Sequence, residues 1–186
     1  HPKLEELHTR HPKLTLTFLG HRTRPQLAQD IQRGRVDVVL VTCMPEEKWT
    51  ATHSLGTVAV GVFCRADKFK VRTAADLAGV PFIMPPKGTP EAAYALEGLR
   101  QLGIEPKRAA AVTQYHDVMV RMAREGRGAI YTIQSIVDRH DPARKLKRVL
   151  TSDAWERRVY VAPTIDRATT QAIIGFLQKS IPTPSV

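Results

Sequence analysis

A chain of 186 residues, 42% hydrophobic and 25% charged, is long enough to bury a core as one domain or as two small lobes. Its longest apolar run, 58–64, is far below the ~20 residues that cross a bilayer, and the residues that open it show no charged head with an apolar core, so neither a membrane span nor a signal peptide is expected in them. The 28 Lys and Arg against 18 Asp and Glu leave a formal charge of +10, which favours anionic partners: nucleic acid, acidic small molecules or anionic lipid.

Leu14-Thr15-Leu16-Thr17-Phe18-Leu19 alternates apolar and small polar residues and ends at Gly20, the pattern of a strand. A helix is predicted next, with Thr23 as cap, Pro25 in the first turn, Leu27 and Ile31 on one face and Gly34 as its stop. Val36-Asp37-Val38-Val39-Leu40-Val41 then reads as a strand covered on both faces, completing a βαβ unit. Residues 58–64 form another strand, 73–79 a short helix and 80–84 a strand broken by Pro85-Pro86-Lys87-Gly88. Thr89 as cap, Pro90 as first helical residue and Glu91 in the first turn open a helix that Gly103 ends.

Ala109–Thr113 reads as a short strand, and Val118, Met119, Met122 and Ala123 stripe a helix ended by Gly126. Strand 128–133, a helical turn or two at 135–139 and a basic surface segment at 144–148 follow. Strands at 149–150 and 158–162 precede a last helix, capped by Asp166, whose Ile173, Phe176 and Leu177 face the core. The alternation of strand and helix predicts an α/β fold. If the chain forms two lobes, its crossings fall near 66–80 and 150–160.

The chain lacks the Gly-x-Ser-x-Gly elbow, the His-Glu-x-x-His pair and the Walker loop, so common hydrolase, zinc and P-loop routes have no mark here. Gly126-Arg127-Gly128 precedes a strand instead of following one, the wrong order for dinucleotide binding. His8 and His11 have metal-compatible spacing without a third ligand nearby, and Cys43 and Cys64 form no CxxC, so no metal, cofactor or disulfide is expected; reduced thiols predict a cytoplasmic protein. Both cysteines read as small core residues.

In an open α/β sheet, ligands bind beyond the carboxyl ends of strands, where helix N-termini offer N–H groups and partial positive charge. The loops in that position are polar: Gly20-His21-Arg22-Thr23-Arg24, Thr42-Cys43-Met44, Arg65, Pro85-Pro86-Lys87-Gly88-Thr89 and Gln114-Tyr115-His116. As a set they suit a carboxylate or phosphate.

Across nearly the whole chain the order of motifs resembles the effector-binding domain of LysR-type bacterial transcription regulators. The resemblance rests on His11-Pro12-x-Leu14-x-Leu16, on Leu27 to Gly34-x-x-Asp37-Val38, and on Asp76-Leu77-Ala78-Gly79-x-Pro81-Phe82-Ile83. It continues through Met122-Ala123-x-x-Gly126-x-Gly128-Ala129-Ile130 and a final helix carrying Phe176. It implies a two-lobed type 2 periplasmic-binding-protein-like fold of mixed sheets with flanking helices, lobe I being 1–75 and 156–186 and lobe II 76–155.

The resemblance further implies a sensor, not an enzyme. A small anionic effector would sit between the lobes on His21, Arg22, Thr23, Thr42, Arg65, Gly88, Thr89, Tyr131 and Thr132. DNA would be read by a winged helix-turn-helix that this chain does not carry, in a full-length homotetramer, with this domain itself a homodimer and no membrane partner. His21-Arg22 replaces a Ser or Thr common in the family and favours a more acidic effector. The alternatives are a solute-binding protein of the same fold; a small enzyme, whose acid/base candidates are Asp37, His116 and Asp117; and a direct nucleic-acid binder, for which 144–148 lacks interleaved aromatics and reads first as a solvated basic edge.

Overall fold

The computed structural model describes residues 9, 12, 24–44, 47, 52–152 and 155–180; the strand expected at 14–19 lies outside them. In chain order the elements that follow residue 12 are α1 (Arg24–Gln32), β1 (Val38–Cys43), β2 (Thr52–Val58), β3 (Val60–Cys64), a 3-10 turn (Ala75–Gly79), β4 (Phe82–Met84), α2 (Pro90–Gln101), β5 (Ala109–Val112), α3 (His116–Arg124), β6 (Ile130–Ile133), α4 (Gln134–His140), β7 (Lys147–Thr151), β8 (Trp155–Val161) and α5 (Arg167–Ser180). The strands fall into a sheet of order β1-β8-β2, a sheet of order β6-β3-β7, and a parallel pair β4-β5.

The chain divides into two compact units. The first holds the described residues of His1–Thr42, Lys48–Gly56 and Arg157–Thr183; the second holds those of Cys43–Glu47, Thr57–Glu156 and Pro184–Val186. The chain changes unit at 42/43, at 47/48, between Gly56 and Thr57 and between Glu156 and Arg157. Strand β3 is buried at every residue. Its Val60, Val62 and Cys64 share one core with Val80 and Leu77, and Phe69 and Val71 pack on it, so the segment before residue 76 packs in the second unit.

In the first unit, α5 is opened by Asp166, whose Oδ1 accepts from the Thr169 N–H at 2.9 Å. The Thr169 hydroxyl, which donates to Oδ2 at 2.6 Å, and that N–H hold the Asp166 carboxyl below its ordinary range. Ile173 of this helix, with Ile174 and Leu177, packs on Leu55, Val159 and Val161. Strand β1 departs from the expectation of two covered faces: Val39 and Val41 are buried, whereas Val38 and Leu40 are 39% and 51% exposed. Strand β2 was not foreseen. Only Leu55 and Val58 are buried along it, and Gly56 holds φ +101°, so it shows no apolar alternation to read.

The second unit is a sheet wound on both faces. Strand β3 runs antiparallel to β6 and to β7, with Val62 facing Tyr131 on one side and Leu150 on the other. Strand β4 runs parallel to β5 and joins β6 through a parallel bridge from Phe82 to Ala129, giving the order β5-β4-β6-β3-β7. Alternate residues of β3 point to opposite faces, as the pleat requires. Val60, Val62 and Cys64 meet Ala95 and Leu99 of α2, while Phe63 meets Met119, Val120 and Ala123 of α3. The two helices therefore cover opposite faces, the arrangement in which successive right-handed crossovers place them when the chain turns back past its first strand.

Small residues set two close approaches in this unit. A Cβ on Gly98 would lie 2.0 Å from the Tyr131 hydroxyl oxygen, so α2 lies directly on that ring. A Cβ on Gly128 would lie 2.5 Å from the Pro81 carbonyl oxygen, at the bridge that joins β4 to β6.

Candidate functional site

Strands β4, β5, β6 and β7 are mutually parallel, so their carboxyl ends gather along one edge of the second unit. Thr113, just beyond β5, donates its N–H to the Met84 carbonyl at 3.0 Å, which fixes the ends of β4 and β5 side by side. From these adjacent ends the chain enters α2 on one face and α3 on the other. Neighbouring strands that feed helices on opposite faces leave a crevice at the carboxyl edge, bordered by two helix N-termini.

The loop 85–89 is shaped by local chemistry. Gly88 holds φ +83°, a left-handed conformation open to glycine at no steric cost. Thr89 caps α2: its hydroxyl accepts from the Ala92 N–H at 3.2 Å and donates to the Pro86 carbonyl at 2.8 Å. Lys87 and Gly88 are exposed and Thr89 is half-buried. On the α3 side, the Thr113 hydroxyl accepts from the Tyr115 N–H at 3.2 Å, and Tyr115 is 62% exposed.

Further along the same edge stand Thr132 and Ser152, both buried. Ser152 donates its N–H to the Val60 carbonyl at 3.0 Å, and its hydroxyl oxygen accepts from the Tyr131 hydroxyl at 2.9 Å. Tyr131 and Tyr94 flank Trp155 with ring centroids 5.9 and 5.5 Å away, and the Tyr94 hydroxyl donates to the Glu47 carboxylate at 3.0 Å. This edge offers hydroxyls and backbone N–H groups above a buried aromatic cluster, the means by which a small polar ligand is oriented.

The residues singled out from sequence are distributed unevenly. Gly88, Thr89 and Thr132 lie along this edge, and Tyr131 sits beneath it as a buried core residue. Thr42 is a half-buried residue of β1 in the first unit. His21, Arg22 and Thr23 lie outside the described residues. Arg65 follows β3 and stands at the opposite edge of the sheet, since Phe63 pairs with Ile130 at the start of β6. Its guanidinium is engaged by the Asp67 carboxylate and donates to the Arg124 carbonyl at 3.2 Å. The hydrogen bond from Arg65 holds the Asp67 carboxyl below its ordinary range.

Thr113 and Ser152 had no mark in the sequence. Threonine at a strand end and serine before a turn are common capping residues, and only the non-local pairing of β4 with β5 and of β3 with β7 brings them to this edge. Asp117 and His116 open α3 and are exposed, as is Asp37, so none sits in a water-excluded pair suited to acid/base work. Among the described residues no group of three His, Cys, Asp or Glu side chains is placed to hold a metal ion, and no helix is long and apolar enough to cross a membrane.

Both cysteines are buried, Cys64 completely. Burial pushes the Cys64 thiol up from its ordinary 9.0 to about 11. A thiol whose folded value is raised keeps its proton while the unfolded chain loses its own, so the stability it contributes is complete below pH 9 and is lost as the pH rises from 9 towards 11. We expect neither cysteine of the folded protein to react with a thiol reagent at pH 7.5 and both to react in denaturant, a titration that follows released chromophore directly. Prompt reaction of one equivalent in native buffer would contradict the packing described above.

Comparison with known proteins accords with this architecture. A family model described as the LysR substrate binding domain matches residues 1–180. The fold is similar to the effector domain of the transcriptional regulator AmpR of Pseudomonas aeruginosa, with TM-score 0.63 and 18% identity over 96% of this chain and 86% of that one. It is similar to the E204G regulatory domain of OxyR2 from Vibrio vulnificus, with TM-score 0.70 and 17% identity over 97% and 90%. It is also similar to the regulatory domain of CcmR from Synechocystis PCC6803, solved in complex with 2-PG, with TM-score 0.71 and 17% identity over 96% and 89%. No curated protein matches the sequence. With 180 of its 186 residues spanned by the family model, and with the periplasmic-binding-protein-like α/β fold that its solved neighbours share, the chain belongs to the LysR substrate binding domain family.

Proposed function

We propose that this chain is the effector-sensing domain of a bacterial LysR-type transcription regulator, working in the cytoplasm, and that it binds a small anion without making or breaking a bond. The family match over residues 1–180 carries the reading. The chemistry of the carboxyl edge of the second unit supports the reading. Gly88 and Thr89 stand at the N-terminus of α2 and Thr113 just before α3, where N–H groups and helix dipoles favour negative charge. The 2-PG held by the CcmR domain supports an anion as the class of effector. The full-length protein would carry the DNA-reading part and assemble as a homotetramer, with ligand shifting the population between two of its arrangements.

The test is a thermal shift series with 2-PG, inorganic phosphate, small carboxylates and aromatic acids. A ligand at 100 times its Kd stabilises the folded state by about 2.7 kcal/mol, a shift of several degrees. Thr89→Ala is expected to abolish the ligand-induced shift and also to lower the unliganded melting point, because the lost cap costs about 1 kcal/mol. Thr89→Ser keeps the hydroxyl and is expected to keep both. The loop His21-Arg22-Thr23 retains the role the sequence resemblance gives it, and Arg22→Ala in the same series tests it. A ligand shift untouched by Thr89→Ala would remove the proposed edge as the site.

A further inference from the structure

The edge opposite the candidate site has its own character. Five strand ends distant in sequence meet there, because the amino ends of β4, β5, β6 and β7 and the carboxyl end of β3 lie together. The Arg108 carbonyl accepts from the Phe82 N–H at 2.9 Å, which puts 107–108 beside the start of β4. Lys147 pairs with Cys64 at the end of β3, and Arg144 and Lys145 lead into it. The Lys68 side chain lies against Gly126, two residues before the glycine that meets Pro81.

Lys68, Lys107, Arg108, Arg144, Lys145 and Lys147 are all exposed, and none of the six makes an ion pair among the described residues. Three nearby carboxylates are already engaged, Asp67 by Arg65, Glu125 by Arg127 at 2.8 Å and Asp141 by Arg124 at 3.1 Å, which leaves exposed Glu105 as an acidic neighbour of Lys107 against six cations. Five strands at ~4.8 Å spacing make this edge about 19 Å wide, comparable with the combined ~12 and ~6 Å widths of the two grooves of B-DNA.

From this convergence we infer that the basic edge of the second unit is a docking surface for the phosphate backbone of duplex nucleic acid, independent of base sequence. The composition of the edge favours that occupant. The large apolar side chains exposed among the described residues are Val38, Leu40, Leu96, Val112 and Tyr115, none of them on this edge. A lipid surface would call for an apolar wedge and a single strand for stacking aromatics. A rigid row of cations without either matches a duplex backbone, whose affinity comes from counterion release. The inference does not depend on the ligand reading, which concerns the other edge.

The experiment is fluorescence anisotropy of a labelled 20-base-pair duplex of arbitrary sequence, titrated with this chain at 50 and 200 mM salt. Binding is expected at 50 mM, falling with a log–log salt slope of about −4 if four or five phosphates are neutralised at ~0.9 each. Two variants, Lys107→Gln with Arg108→Gln and Lys145→Gln with Lys147→Gln, are expected each to weaken binding about tenfold and to flatten the slope by about 2. A control, Arg33→Gln with Lys179→Gln in the first unit, is expected to change neither. Circular dichroism confirms that each variant folds, and retained anion-induced thermal shifts separate this result from the fate of the effector site. The inference is overturned by absence of binding at 50 mM salt, by equal losses in the control, or by capture on phosphatidylserine vesicles without duplex binding.

Discussion

Replacing Asp141 by alanine is expected to destabilise the protein by about 3 kcal/mol, the low end of the cost of removing one partner from a buried ion pair, because the Arg124 side chain is 30% exposed. The Asp141 side chain is 1% exposed and faces Arg124 Nε at 3.1 Å, an ion contact without hydrogen-bond alignment. Its other oxygen accepts from the Leu146 N–H at 2.7 Å. Arg124 reaches past it to the His140 carbonyl at 3.2 Å, so one guanidinium ties α3 to the end of α4. Without the carboxylate, the Leu146 N–H loses its buried acceptor and the half-buried Arg124 loses its counter-ion. Buried Leu146, the residue before β7, then loses its anchor.

Urea unfolding measures the loss, and Asp141→Asn divides it: the amide oxygen still accepts from Leu146 but no longer neutralises Arg124. We expect the asparagine variant to fall between parent and alanine. A loss below about 1 kcal/mol for alanine would place this pair with the surface bridges that contribute little.

The second large effect is expected at Gly128. A valine there places a Cβ 2.5 Å from the Pro81 carbonyl oxygen and 3.3 Å from Ala110 Cβ, with its methyl groups still to be housed. The obstacle is backbone, and the backbone is held: Ala129 donates to that carbonyl at 2.8 Å, and Ile83 donates to the Ala129 carbonyl at 2.9 Å. Accommodation requires β4 to part from β6, carrying β5 with it. Overpacking of this kind costs about 3 kcal/mol. Gly79→Ala is the matched control, since its Cβ meets nothing within 4 Å; a change within about 0.5 kcal/mol is expected. Equal thermal denaturation of the two variants would mean that the bridge does not hold the sheet together.

How much of this was legible follows from whether the cause is local. Helix α2 was foreseen from end to end, because Thr89, Pro90, Glu91 and Gly103 act within a turn of where they stand, and Gly103 indeed holds φ +71°. Asp76 likewise accepts from the Thr73 N–H at 2.8 Å, three residues away. Strand β1 was foreseen, but the exposure of Val38 and Leu40 was not, since burial depends on neighbours and not on the strand's own residues. Arg65 shows what a sequence leaves open: its charge is visible, but its contact with the Arg124 carbonyl spans 59 residues and depends on the fold. The capping role of Thr89 was legible because it is local; the place of Ser152 was not, because its tie to Tyr131 spans 21 residues and depends on the register of β7.

The complete enclosure of Cys64 and the burial of Cys43 have a practical side, because these are the chain's two cysteines. A cysteine introduced at exposed Lys87 would be the one fast-reacting thiol of the folded protein, with no need to remove the native pair. A dye attached there would sit beside Gly88 and Thr89, and its brightness would report occupancy of that edge in real time.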